Sequence, residues 1–106
     1  AHEKNQEVPT NQYTKWFDYD KIKGTLSLRH RQPGDYLTLP SGGRKTLKSW
    51  MIDEKIPRQE REEIWLLAEE KHILWIVGHR ISAYYKITEQ TKTILEVEFN
   101  GGKSSG

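Results

Sequence analysis

Turn-forming residues cut this chain into pieces too short for long helices, and that punctuation constrains the fold more than any other feature. Pro33-Gly34-Asp35, Pro40-Ser41-Gly42-Gly43 and Pro57 break the first half, and the polar run Glu69-Glu70-Lys71 breaks the second. Pro fixes one backbone dihedral and Gly frees both, so the intervening segments must be strands or short helices. Thr25 to Arg31 alternates, with Leu26, Leu28 and His30 on one face and Ser27, Arg29 and Arg31 on the other. Tyr13–Tyr19, Tyr36–Leu39, Ile64–Ala68, Ile73–Val77, Ile81–Ile87 and Thr93–Phe99 also read as strands. Residues 64–77 predict a hairpin whose second strand is buried on both faces. In the last strand Leu95, Val97 and Phe99 oppose Glu96 and Glu98. One helix fits: Thr46 caps it, Leu47, Trp50 and Met51 fall at i, i+3 and i+4, and Lys48 points away. Pro57 to Arg61 predicts a single helical turn. Short strands with one or two short helices predict a β-rich α+β fold.

A chain of 106 residues holds one domain. Residues 1–12 are polar and aperiodic and predict a flexible linker. Residues 13–99 carry the ordered domain, and residues 100–106, Gly- and Ser-rich, predict a flexible tail. No stretch approaches the roughly 20 apolar residues of a membrane span, so no membrane partner is expected. With no cysteine there can be no disulfide and no thiolate metal site. That fits a cytoplasmic home. His2, His30, His72 and His79 lack the short spacing that builds a metal site, and His30 reads as a core or interfacial imidazole. Ser41-Gly42-Gly43 is followed by Arg44-Lys45-Thr46 and reads as a surface turn, not an ATP loop. Glu62-Glu63 and Glu69-Glu70 read as solvated faces, and no nucleophile–base arrangement assembles. No catalytic residue and no metal ligand is assigned. Trp16, Trp50, Trp65 and Trp75 are expected in the core.

Charge is unevenly spread. Residues 21–58 hold nine Lys/Arg against three acids, on a chain whose net charge is only +2. A basic half on a near-neutral protein is the footprint of an anionic partner. Arg29 and Arg31 are expected on one strand face about 7 Å apart. Arg44 and Lys45 precede the helix start and Lys48 lies on its outer side, while Arg58 and Arg61 lie one helical turn apart. Arg forks match phosphate oxygens. These seven residues are the candidate RNA-binding set. The alternative is a protein-interaction or interdomain packing module whose basic face serves solubility.

Five blocks in order then carry a resemblance. Leu28-Arg29-His30-Arg31-Gln32-Pro33-Gly34-Asp35 resembles the R-x-R-x-x-G-D opening of the C-terminal domain of tRNA(Ile)-lysidine synthase. Gly43-Arg44-Lys45-Thr46-Leu47-Lys48 is similar to that family's Gly-basic helix start, and Asp53 to Arg61 to its D-x-K-I-P-x-x-x-R segment. Ile73 to Ser82 resembles I-x-W-V-x-G-x-R-I-S, and Tyr85-Lys86-Ile87-Thr88 resembles Y-K-V-T. The resemblance spans about Tyr13 to Phe99. It implies a sandwich-containing, three-layered domain, related in fold to a module of the phenylalanyl-tRNA synthetase β-subunit. It further implies a non-catalytic part of an ATP-dependent ligase that joins lysine to the wobble cytidine of tRNA(Ile). The domain's partners would be tRNA(Ile), touched on the acceptor-stem side, and the N-terminal catalytic domain of the same chain. ATP and Mg would belong to that catalytic domain, leaving no cofactor here.

Overall fold

The computed structural model describes residues 13–99; the linker and tail expected at 1–12 and 100–106 lie outside the described residues. Among the described residues, eight strands and two short helices make three layers. In chain order these are β1 (Thr14–Asp18), β2 (Leu26–Arg29), β3 (Tyr36–Thr38), β4 (Arg44–Thr46), α1 (Leu47–Asp53), α2 (Arg58–Arg61), β5 (Leu66–Glu69), β6 (His72–Ile76), β7 (Arg80–Ile81) and β8 (Ile94–Glu98). The central sheet runs β2-β5-β6-β3-β4, with β7 also paired to β6. Its pairs are antiparallel except β3 with β6, where Tyr36 lies opposite His72. A separate antiparallel ribbon joins β1 to β8, from Thr14 opposite Glu98 to Asp18 opposite Ile94.

Both faces of the central sheet are covered along Ile73–Ile76, which is why that part of β6 is apolar. Leu37, Leu66, Ala68, Ile73 and Ile76 pack against Leu47, Trp50, Met51 and Ile56 from the helical layer. Leu67, Leu74, Trp75 and Val77 face the other way, against Phe17, Tyr85 and Val97. The register shifts between Leu67 and Ala68, which pair with Trp75 and Ile73, so Leu74 has no partner opposite. The extra residue sends Leu74 and Trp75 into the same core, and the Leu74 carbonyl accepts from the Ser82 N–H at 2.8 Å. A fully buried Leu or Trp contributes about 2–3 kcal/mol. Such a β-rich, layered α+β architecture is the expected class.

Local expectations meet mixed outcomes. Thr46 caps α1, its hydroxyl accepting from the Ser49 N–H at 3.2 Å. Gly34 sits at φ +88° in the turn closed by the Asp35 N–H and the Gln32 carbonyl. Leu26, Leu28 and His30 do share a face, but on this edge strand Leu26 packs against the core while Leu28 is 50% exposed. The strand expected over Ile81–Ile87 is instead the two-residue β7 followed by a 3-10 turn at Ala83–Tyr85. Ser82 ends it: its N–H bonds Leu74, and its hydroxyl accepts from the Thr38 N–H at 3.0 Å. Arg44–Thr46, expected to lead into the helix, is itself a strand, the second of the β3–β4 hairpin.

Candidate nucleic-acid interface

Of the seven candidate cations, Arg29 is the most tightly held inside the fold. It lies in β2 opposite Leu66, on the helical side of the sheet. Its Nη1 and Nη2 donate to Asp35 Oδ2 and Oδ1, each at 2.9 Å, and to the carbonyls of His30 and Glu70 at 2.9 and 2.6 Å. The Asp35 side chain is 1% exposed. Asp35 also accepts from the Gln32 N–H at 2.8 Å, and its carbonyl accepts from the Leu47 N–H at 2.8 Å. The strand–turn–helix junction is thus assembled on one carboxylate. The expectation that Arg29 and Arg31 project side by side into solvent is corrected: β2 ends at Arg29, and Arg29's fork is already filled by a buried acid.

Others are partly committed. Arg31 pairs with Glu62, and Lys45 with Asp53 of α1. Arg61 donates from Nε to the Ile56 carbonyl at 2.9 Å, closing the turn before α2. Lys48 and Arg58 are exposed and make no ion pair among the described residues.

Alternation in the β3–β4 hairpin then divides the set. Lys45 lies opposite buried Leu37 and faces the helices, whereas Arg44 lies opposite Thr38 and faces away, on the side of Tyr36 and His72. Each side of the hairpin borders a concavity among the described residues. On the helical side, Arg31 and Lys48 with Gln32–Asp35, Thr46 and Glu62 line a groove of roughly 560 Å³. On the opposite side a cleft of roughly 680 Å³ is rimmed by Lys21, Lys23, Arg44 and Lys71 around Tyr36, His72 and Tyr84.

The cleft's floor is a stack of rings between two cations. Arg44 lies 4.5 Å over Tyr36, Tyr36 stacks on His72 at 4.5 Å, His72 meets Tyr84 at 5.1 Å, and Lys21 lies 5.3 Å over Tyr84. Burial, and then the Arg44 charge, hold His72 below the ordinary histidine value, with Glu69 opposing. Its Nε2 lies 3.0 Å from Thr38 Oγ1. Glu69 is not the solvated acid expected. It ends β5 half-buried, accepting from the Tyr85 hydroxyl at 2.7 Å and from the Lys23 and Gly24 N–H groups. Burial pushes its carboxyl up, but the Tyr85 hydroxyl and those two N–H groups outweigh it and leave Glu69 below the usual glutamate value. Burial, and then the Glu69 carboxylate, push the Tyr85 phenol up. Sequence reasoning missed Lys21, Lys71 and Tyr84 as members of one surface. The usable signal was the two-residue repeat Tyr36, Thr38, Arg44, Thr46 across a Gly-centred hairpin.

His30 is half-buried against Trp65, ring centroids 4.0 Å apart. Among the described residues no group of His, Asp and Glu could hold a metal ion, and no helix is long and apolar enough to cross a membrane.

Fold and surface together define a small, three-layered α+β domain with two cation-lined concavities on opposite sides of its central sheet. Residues 26–98 match the family model described as the TilS substrate C-terminal domain, and the chain belongs to that family. It is 46% identical over 89 residues to the tRNA(Ile)-lysidine synthase of Caldanaerobacter subterraneus subsp. tengcongensis, covering 83% of this chain and 19% of the relative. To the synthase of Clostridium tetani it is 42% identical over 94 residues, covering 88% and 20%. The chain therefore spans about a fifth of the length of the curated relatives it matches. A solved structure, the crystal structure of a TilS C-terminal domain, superposes with a TM-score of 0.64 at 25% identity, covering 94% of this chain and 78% of that one.

Proposed function

We propose that this chain is the tRNA-binding, substrate-recognition domain of an ATP-dependent ligase that converts the wobble cytidine of tRNA(Ile) to lysidine, and that it engages the acceptor-stem side. The observation that carries this reading is its similarity, over most of its length, to part of proteins named tRNA(Ile)-lysidine synthase. The surface supports it. Lys48 and Arg58 keep uncommitted charge on the helical side, and Arg31 adds a guanidinium held by an exposed carboxylate that a phosphate can displace. Arg44, resting on Tyr36 and in no ion pair among the described residues, offers a fork on the other side of the sheet. An A-form stem is read by phosphate, 2′-OH and shape contacts, which cations spread over a rigid sheet can supply without base readout. Catalysis, ATP and Mg belong in this reading to the catalytic domain of the longer protein, and the compartment is the cytoplasm.

An electrophoretic shift of tRNA(Ile) by the 106-residue chain at low salt tests the reading. Retardation is expected, and a DNA duplex of the same length should bind more weakly because it lacks the 2′-hydroxyls and the A-form groove. Unchanged tRNA migration at the highest soluble protein concentration defeats it. That result would favour the alternative module, for which the half-exposed Leu28 on the edge strand β2 is the specific support.

A further inference from the structure

We infer that the cleft between the β3–β4 hairpin and the 3-10 turn at Ala83–Tyr85 receives an unpaired nucleobase of the bound RNA, stacked on Tyr84 and flanked by Arg44 and Lys21. The inference rests on the RNA-binding reading above and adds a second ligand geometry to it. Base-paired stems hide the faces of their bases, so an aromatic platform is useless to a stem and useful only to a base outside the helix.

Three observations build the platform. Tyr84 and Tyr85 are neighbours with opposite fates: Tyr85 is 1% exposed while Tyr84 is 43% exposed. Tyr85 is the anchor, its hydroxyl on Glu69 and its ring perpendicular to Tyr84 at 4.9 Å. Packing is thus satisfied by one ring, and the other is held at the surface on a rigid floor. Next, the ring stack ends on a cation at each side, Arg44 over Tyr36 and Lys21 over Tyr84. Neither cation is paired with a carboxylate among the described residues, in contrast to Arg29, Arg31 and Lys45. A cation resting on a π face keeps its charge available to a phosphate and, for Arg, presents its own plane to a base. Finally, the roughly 680 Å³ of the cleft lies in the range of small-ligand sites and is ample for one nucleotide. Lys23 and Lys71 stand on the same rim, outnumbering with their neighbours the acids Glu69 and Glu70, and Glu69 is turned inward to Tyr85.

The experiment compares two RNAs on the whole 106-residue chain: a blunt duplex, and the same duplex with an unpaired overhang containing 2-aminopurine. The overhang should bind about ten-fold tighter, the scale of one base stacked on an aromatic ring, and its fluorescence should fall on binding. Tyr84→Leu should abolish both effects while leaving blunt-duplex affinity unchanged, and Tyr84→Phe should preserve both. Equal affinity of the parent for the two RNAs overturns the inference, as does a folded Tyr84→Leu that retains the overhang preference. Because the parent comparison decides alone, a variant that melts early does not rescue the idea. Binding of the blunt duplex without overhang preference removes the cleft and leaves the stem reading intact; absence of binding to either RNA removes both.

Discussion

At the scale of single residues, the same side-chain type does opposite jobs depending on what lies opposite it. Arg29 and Lys48 both belong to the candidate set of surface cations, with arginine the better match to phosphate, yet Arg29 spans a buried carboxylate and two carbonyls and Lys48 forms no ion pair among the described residues. Removing one partner of a buried pair strands the other's charge, a loss of about 3–5 kcal/mol. With the Arg29 side chain 16% exposed, the lower end applies. Arg29→Ala should therefore cost about 3 kcal/mol and lower the melting temperature by more than about 10 °C. Arg29→Lys should recover only part, since an ammonium cannot fork onto both Asp35 oxygens. Lys48→Ala should stay within about 0.5 kcal/mol of the parent. Thermal melts by circular dichroism check all three, and a parent-like melt for Arg29→Ala would return that residue to the list of open phosphate contacts. Adjacent in the same junction, Gly34 at φ +88° occupies backbone space that L side chains rarely adopt; there the turn's chemistry was fully legible from Pro-Gly-Asp.

The elements differ in how plainly the sequence announced them. Capping by Thr46 and the Leu47, Trp50, Met51 stripe define α1, because a helix carries its period and its start signal locally. β4 carried neither: Arg-Lys-Thr has no apolar residue, and its pairing with β3 is fixed by the hairpin turn and by Tyr36 lying beside His72 across a parallel contact. The segment after Ile81 misled for a related reason. Its apolar and aromatic residues suit a strand, but after the Ser82 N–H bonds the Leu74 carbonyl the chain enters the 3-10 turn at Ala83–Tyr85, where the Tyr85 hydroxyl is held by Glu69. The cleft was illegible because its parts come from β3, β4, β6, the 3-10 turn at Ala83–Tyr85 and another at Tyr19–Lys21, joined only by tertiary packing. That packing has a measurable consequence. Because the fold keeps His72 below its ordinary value, the unfolded chain takes up the imidazole proton first, and stability falls as pH drops below about 6.5. Glu69, also lowered, contributes stability above the ordinary glutamate range that is lost at more acid pH as its folded value is crossed. Burial remains the larger cause for His72, but Arg44→Gln removes the second. In that variant the NMR-titrated His72 pKa should move up towards 6.5, and the loss of stability between pH 7.5 and 5.5 should shrink. An unmoved titration would mean that Arg44 is screened from the ring and that the cation–ring stack is not electrostatically coupled.

For the whole molecule, the question is whether cations drawn from separate segments act as one surface. Lys48 projects from α1 and Arg58 from α2, both on the helical layer, and the central sheet holds that layer rigid through Leu37, Leu66 and Ile76. If RNA phosphates lie across them, binding releases condensed counterions, and the logarithm of affinity falls linearly with the logarithm of salt, with a slope set by the number of phosphates neutralised. Lys48→Ala with Arg58→Ala should then weaken tRNA(Ile) binding and reduce the steepness of that line by about two phosphate contacts, with the melt unchanged because both side chains are exposed and neither forms an ion pair among the described residues. Lys92→Ala is the control: Lys92 is exposed in the loop ahead of β8, away from both concavities, and its variant should retain parent affinity and slope. Slope is the informative quantity, since a change in fold or in shape complementarity lowers affinity at every salt concentration and leaves the slope where it was. A double variant with parent affinity and parent slope would take the helical layer out of the interface and leave the Arg44 side of the sheet to carry the RNA.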